Sequence, residues 1–292
     1  MVACGAGSES DDVSAVDRGT SPGEATEPAE WVVFGSGRSG DGDILAVNPE
    51  TGRIRPLVTT PAPEGAVRWD PARRRIVHHR FDADAAVLVS GGRDLFVDPN
   101  GDVAPAWSPD GNVVYALEAD GAGDLWVADS LGENPRRLTA DAAVERYPSW
   151  SPGGDRIVYA KRLEAGWDLF VLTLETGEEE RITADGAYVG HPAWSPDGRW
   201  IAYDTFFGDQ TEIVVRDLET GDARRVTNRE RNDLIPSWSC DGSRLVFGWE
   251  TEPGNFDVWM AELESGELVR LTSDPGPDGG PIFVPAEALS GS

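Results

Sequence analysis

Lysine is all but missing from this chain of 292 residues. Lys161 is the single one, and every other basic side chain apart from three histidines is an arginine. Two cysteines, Cys4 and Cys240, are too few for a disulfide framework, and no Cys-x-x-Cys or Cys/His run has metal-ligand spacing. The histidines are His78, His79 and His191. On a strand, adjacent His78 and His79 point to opposite faces and cannot chelate together. No apolar run approaches the ~18 residues of a membrane-crossing helix. The Gly-x-Ser-x-Gly elbow of serine hydrolases is absent. Positive charge is scarce as well, with 25 Lys plus Arg against 52 Asp plus Glu and a formal charge of −27. So acidic a surface repels nucleic acid and anionic membranes, which excludes both as default partners.

What the chain has in quantity is turn and ring: 34 Gly, 21 Pro and 11 Trp, with 39% hydrophobic residues. That is enough apolar material for a sizeable core, and the Gly and Pro call for many short strands. The excess resolves into a repeat. WSPDG stands at 107–111 and 194–198, WSPGG at 150–154, WSCDG at 238–242, and a worn WDPAR at 69–73. The Trp residues are spaced 38, 43, 44 and 44 apart, the period of a four-stranded propeller blade. After each turn an apolar run ends in an aromatic or its neighbour, as at Tyr115, Tyr159, Tyr203 and Phe247. An acid then opens a second run: Asp124, Asp168, Glu212 and Asp257, with Asp43 in the same place in the first unit. An Arg-apolar-Thr segment closes each unit at Thr139, Thr183, Thr227 and Thr272. All are short runs bounded by Gly, Pro or Asp, a strand pattern and not a helical one.

One spacing closes the ring. From the opening acid to the next Trp is 26 residues in four units, and 26 residues after Asp257 stands Phe283, within Pro281-Ile282-Phe283. Trp31–Phe34 and the run from Asp43 have no first strand before them. The C-terminal segment 281–284 can supply it and remove the exposed sheet edges. The expected fold is therefore all-β, a six-bladed β-propeller of four-stranded blades over 31–286, closed by a C-terminal strand that completes the N-terminal blade. Residues 287–292 are expected to be a tail, and the short second blade to turn tightly at Gly91-Gly92.

Residues 1–30 hold seven acids, one Arg and little to bury, so they are expected to form a disordered tether. Val2-Ala3-Cys4-Gly5 resembles the end of a bacterial lipobox, with Cys4 as the lipidated residue and the acidic segment as a lipoprotein linker. No basic region or apolar stretch precedes it, and an incidental Cys4 is the alternative.

The Pro-x-Trp-Ser-Pro-Asp-Gly start, the Asp-opened strand, the Thr-Gly turn and the Arg-Leu-Thr end resemble the TolB-type, WD-repeat-like propeller family over residues 31–284. The resemblance implies the fold. Its relatives range from a periplasmic Tol-Pal component to peptidases and oligogalacturonate lyases, so fold does not assign function. No hydrolase elbow or cluster of metal-binding histidines accompanies the blades. The leading expectation is a non-catalytic, monomeric platform of the bacterial cell envelope, periplasmic or on the cell surface. It would bind a protein partner or small ligand at its channel mouth, with a membrane contact only through a lipid anchor. The alternatives are a lyase or hydrolase of polysaccharide or peptide using the channel mouth, and a lectin-like glycan binder using Trp167, Trp200 and Trp249.

Three groups of candidate site residues follow. Five residues before each Trp or Phe the chain reads Glu64, Asp102, Glu145, Val189, Asp233 and Asp278. If these acids face the channel they form a ring suited to a cation, Ca²⁺ by its preference for oxygen ligands; no cofactor is otherwise required. Capping of local amides is the alternative. The residue before each loop Pro varies, and with their neighbours Tyr147, His191, Arg146 and Tyr188 are candidates for holding a ligand or partner segment. The acids at 43, 124, 168, 212 and 257 are expected to bond turn amides of the neighbouring hairpin.

Overall fold

The computed structural model describes residues 27–289 apart from 39, 41, 83–84, 99–103, 120–121 and 185–187. Cys4, Asp102 and most of the expected tether lie outside the described residues. Twenty-four strands form six four-stranded antiparallel sheets. Blade 2 comprises Glu64–Asp70, Arg75–Asp82, Ala85–Ser90 and Arg93–Asp98. In blades 3 to 6 the inner strands are Ala106–Trp107, Glu145–Trp150, Val189–Trp194 and Asp233–Trp238. Blade 1 is made from both ends of the chain: Asp278–Pro285 pairs with Glu30–Ser36, so that Phe283 faces Val32 and Val284 faces Trp31. The ring closes as the 26-residue spacing requires.

The apolar runs build the core because alternate residues of a strand enter opposite interblade spaces. Val32 and Phe34 pack against blade 6, while Trp31 and Val33 pack against Val67 of blade 2. Six hydrophobic clusters result, one between each pair of adjacent blades. The repeat Trp belongs to the space shared with the preceding blade. Trp150 Nε1 donates to Ala106 O at 3.1 Å and Trp238 Nε1 to Ala193 O at 3.0 Å, each stitching one blade to the next.

The turns follow their chemistry. In the WSPDG segments Gly111, Gly154, Gly198 and Gly242 take positive φ, and each N–H donates to the Ser carbonyl three residues back. Gly91 and Gly92 both have positive φ, which gives the expected tight hairpin. Strand pairing begins at Glu30, whose carboxylate accepts from Cys240 N at 2.8 Å. At the other end Ala286–Leu289 forms a 3₁₀ turn, and Leu289 is buried beside blade 1. Packing therefore extends three residues beyond the expected domain boundary. Among the described residues no helix is long and apolar enough to cross a membrane.

Candidate functional site

The inner strands begin at one end of the channel, the entry face, and run to the WSPDG turns at the other, the turn face. In four blades the first residue is a ring acid, while blade 5 begins at Val189 and Asp102 of blade 3 lies outside the described residues; the structure does not bring the four acids together. Glu64, Glu145, Asp233 and Asp278 are all buried, and each turns into its own surroundings. Glu64 Oε2 lies 2.7 Å from His78 Nε2. Glu145 lies 3.2 Å from Lys161 Nζ and accepts from the Thr139 hydroxyl. Asp278 accepts from Ser36 Oγ at 2.5 Å and from Arg38 at 2.6 Å. Asp233 makes no salt bridge within 4 Å among the described residues; it sits beside Glu212 and Thr227, with the Arg229 charge acting on it from farther off. Burial, opposed in part by nearby bonds, pushes both Glu145 and Asp233 up to about 7. His78 is pushed down to about 4 by burial and by neighbouring His79 and Arg80, so near neutral pH an uncharged imidazole faces Glu64.

Among the described residues, one group of three carboxylates is close enough to share an ion: Asp141, Glu145 and Glu179. The ammonium of Lys161 sits there, contacting Asp141 and, at 2.7 Å, Glu179. Burial would depress the Lys161 pKa, but the surrounding acids outweigh it and hold it above the ordinary lysine value. In place of a convergent ring, each acid is bonded locally, because a buried carboxylate is better satisfied by side chains beside it, such as Lys161, Arg38 or Thr227, than by the channel.

The acids opening the third strands also differ from expectation. Asp124, Asp168, Glu212 and Asp257 pair with Arg137, Arg181, Arg225 and Arg270 of their own blades. The closing threonines complete the clip. Thr183 donates to Asp168 and Thr227 to Glu212, while both hydroxyls accept from backbone amides. The Arg-apolar-Thr repeat is therefore the partner of the acid and not an independent feature.

The channel wall is formed by two other tiers. The residues three before each aromatic are Ala66, Ala104, Tyr147, His191, Ile235 and Gly280; the residues one before it are Arg68, Ala106, Ser149, Ala193, Ser237 and Ile282. All twelve are half-buried, while the Val or Pro between them is buried in every blade. With a strand on one side and a blade on each flank, the accessible side of these residues is the channel. The upper tier is strained. Ala66, Tyr147, His191 and Ile235 have φ of 42°, 55°, 45° and 59°, and Gly280 has 60°. Each lies at a register shift in which the inner strand bulges. A non-glycine residue held in such a region costs roughly 1–3 kcal/mol.

Tyr147 and His191 meet over the channel with ring centroids 4.1 Å apart. His191 Nδ1 lies 2.8 Å from Asp204 Oδ1, and Ile235 N donates to the same oxygen at 3.2 Å. Asp204 is fully buried. Tyr188 packs 5.3 Å from Phe206, and its hydroxyl lies with Asp204 over Gly190, where a Cβ would stand 3.0 Å from Asp204 Oδ2. Burial and the Asp204 charge raise the Tyr188 pKa. Arg146 extends outward over Trp167, 5.8 Å from the ring centroid, beside a groove of about 650 Å³ lined by Val144, Arg162 and Leu163. Tyr188 and His191 are thus assembled around one carboxylate, with Tyr147 packed on the His191 ring and Arg146 over Trp167.

Asp204 and Arg68 escaped the reading of the sequence. In the register of the second strands Asp204 corresponds to Gly35, His79, Ala116, Ala160 and Gly248. A carboxylate where most blades hold Gly or Ala is the signal that could have found it. The proposed glycan-binding tryptophans are half-buried, with arginines over Trp167, Trp200 and Trp249. Trp200 also follows the turn at 195–198 and so lies at the opposite face from the other two.

Comparisons with known proteins agree with this architecture. The family model for the TolB beta propeller domain matches residues 66–192 and 189–289. TolB from Acinetobacter baumannii superposes with a TM-score of 0.78 at 15% identity, covering 89% of this chain and 68% of that one. A putative TolB from Agrobacterium tumefaciens gives 0.68 at 20% identity, covering 86% and 91%. An oligogalacturonate lyase in complex with manganese gives 0.54 at 14% identity, covering 82% and 72%. At these identities the likeness is one of fold, and it spans a catalyst as well as TolB chains.

Proposed function

The chain belongs to the TolB beta propeller domain family, and from that membership and the channel geometry we propose that it is a non-catalytic binding platform of the bacterial cell envelope. It works outside the cytoplasm, periplasmic or held at a membrane through Cys4, and engages a protein segment or small ligand at the entry face. The observation that carries this reading is the strained tier. Gly280 demonstrates that glycine fits the left-handed position, yet blades 4, 5 and 6 place Tyr147, His191 and Ile235 there. Fold alone is served better by glycine; side chains kept against strain mark a surface kept for contact.

The test uses the full chain and its Tyr147→Gly, His191→Gly double variant as bait for envelope extract. A stoichiometric partner held by the wild type and lost by a folded double variant is expected. Equal capture by both would overturn the reading.

A second reading has its own observation. A half-buried histidine held through Nδ1 by a buried aspartate leaves Nε2 for proton transfer, the arrangement of a general base. Turnover of oligogalacturonate or peptide that disappears in His191→Gln would establish an enzyme in place of the platform.

A further inference from the structure

We propose that the central channel binds a small carboxylate-bearing molecule on Arg68. The lower tier holds Arg68, Ala106, Ser149, Ala193, Ser237 and Ile282 in blade order from blade 2 round to blade 1, so polar groups occupy alternate blades. Arg68 is the one charged group in this tier, and neither channel tier contains a carboxylate. In a chain with 52 acids and 25 Lys plus Arg, that is the reverse of what composition would place there.

Many of the described arginines find carboxylates within 4 Å, among them Arg38, Arg75, Arg181 and Arg225. Arg68 has none among the described residues, and its one protein hydrogen bond runs from a guanidinium nitrogen to Val67 O at 2.8 Å. Val67 and Trp69 face blade 1, which turns Arg68 toward blade 3 and the channel edge. Four of the five guanidinium N–H groups remain available, a fork suited to two parallel bonds with a carboxylate. Burial pushes its pKa down to about 10, which leaves it charged at neutral pH in surroundings that strengthen ion pairing. The hydroxyls of Ser149 and Ser237, on the same tier, make no bond to another described residue and can serve neighbouring oxygens of the ligand. One cation and two hydroxyls match a monoanion; a phosphate dianion would call for a second fixed cation.

Isothermal titration calorimetry of the full chain with sodium glucuronate, sodium acetate and inorganic phosphate, against sodium chloride at matched ionic strength, tests the assignment. Saturable heat with a carboxylate probe is expected, weakened about tenfold to a hundredfold in Arg68→Met, the loss of one charge-assisted pair. Heat that is equal in wild type and a folded Arg68→Met, heat with phosphate alone, or no heat beyond the chloride control would each overturn it. Should Arg68→Met fail to fold, the Ser149→Ala, Ser237→Ala double variant takes its place: several-fold weaker binding is expected, and unchanged affinity refutes the shared tier. The calorimetry contains no protein partner, so its outcome is read separately from partner capture and either can fail without the other.

Discussion

His191 Nδ1 and Asp204 Oδ1 are 2.8 Å apart, and because Ile235 N donates to the same oxygen, one carboxylate of blade 5 fixes residues on two adjacent inner strands. Removing it in Asp204→Ala leaves the Ile235 amide without its acceptor and the imidazole unheld. The expected cost is about 2 kcal/mol, read from urea midpoints. Nitrogen-detected NMR of His191 should register a changed tautomer population in the variant. An unaltered midpoint and an unaltered imidazole would show that Asp204 holds nothing.

The strained tier gives a prediction of opposite sign. Ile235 is β-branched at φ 59°, where glycine is at ease. Ile235→Gly is expected to lie within about 1 kcal/mol of the wild type despite losing its side chain, because strain relief offsets lost contact. Gly280→Ile, imposing a β-branched residue at φ 60°, is expected to cost about 1–3 kcal/mol. Thermal melts of the two variants compare them directly, and equal losses would disprove the strain.

Two buried acids make stability depend on pH. Glu145 and Asp233 have folded values raised to about 7, above their unfolded values near 4. Their contribution is fully present below about pH 4 and is lost as pH rises through about 7, at up to about 1.4 kcal/mol per pH unit for each group. Asp233→Asn should therefore lose less stability than the wild type between pH 5 and pH 8. Parallel curves for the two proteins would contradict the assignment.

Lys161 places one positive charge against three carboxylates that would otherwise repel one another more strongly. Lys161→Ala is expected to destabilise the fold by about 1–3 kcal/mol, because only Glu145 of the three carboxylates is buried and water screens the other two. Because Asp141, Glu145 and Glu179 are close enough to share an ion, millimolar calcium should restore part of the lost melting temperature in the variant and leave the wild type unmoved. A calcium response of equal size in both would point to a site elsewhere.

Blade number and closure were legible in the sequence because both depend on the spacing of aromatic and acidic residues, which the strand ladder reproduces residue for residue. The alignment of Phe283 with the repeat Trp, and its pairing with Val32, is of this kind. The orientation of the acids was not legible. Whether Glu145 or Asp278 faces the channel depends on Lys161, on the neighbouring strand, and on Arg38, in the turn after Ser36, both outside the repeated motif. Tyr147 and His191 could be named because they vary within a fixed frame, whereas the Asp204 that holds His191 and the Ile235 amide becomes visible only when the second strands are set in register. Arg68 was hidden in the worn copy of the repeat, where the motif itself had faded.

The strand that closes the ring also determines which way the molecule faces. Glu30 pairs with Pro285, and Ala286 N donates to Ala29 O at 3.0 Å, so both ends of the described chain leave blade 1 on the turn face. Tyr147, His191 and Tyr188 open on the entry face. The described chain therefore enters and leaves the propeller on the side away from that opening, so a fusion joined at Ala29 or Ala286 would start from the far face.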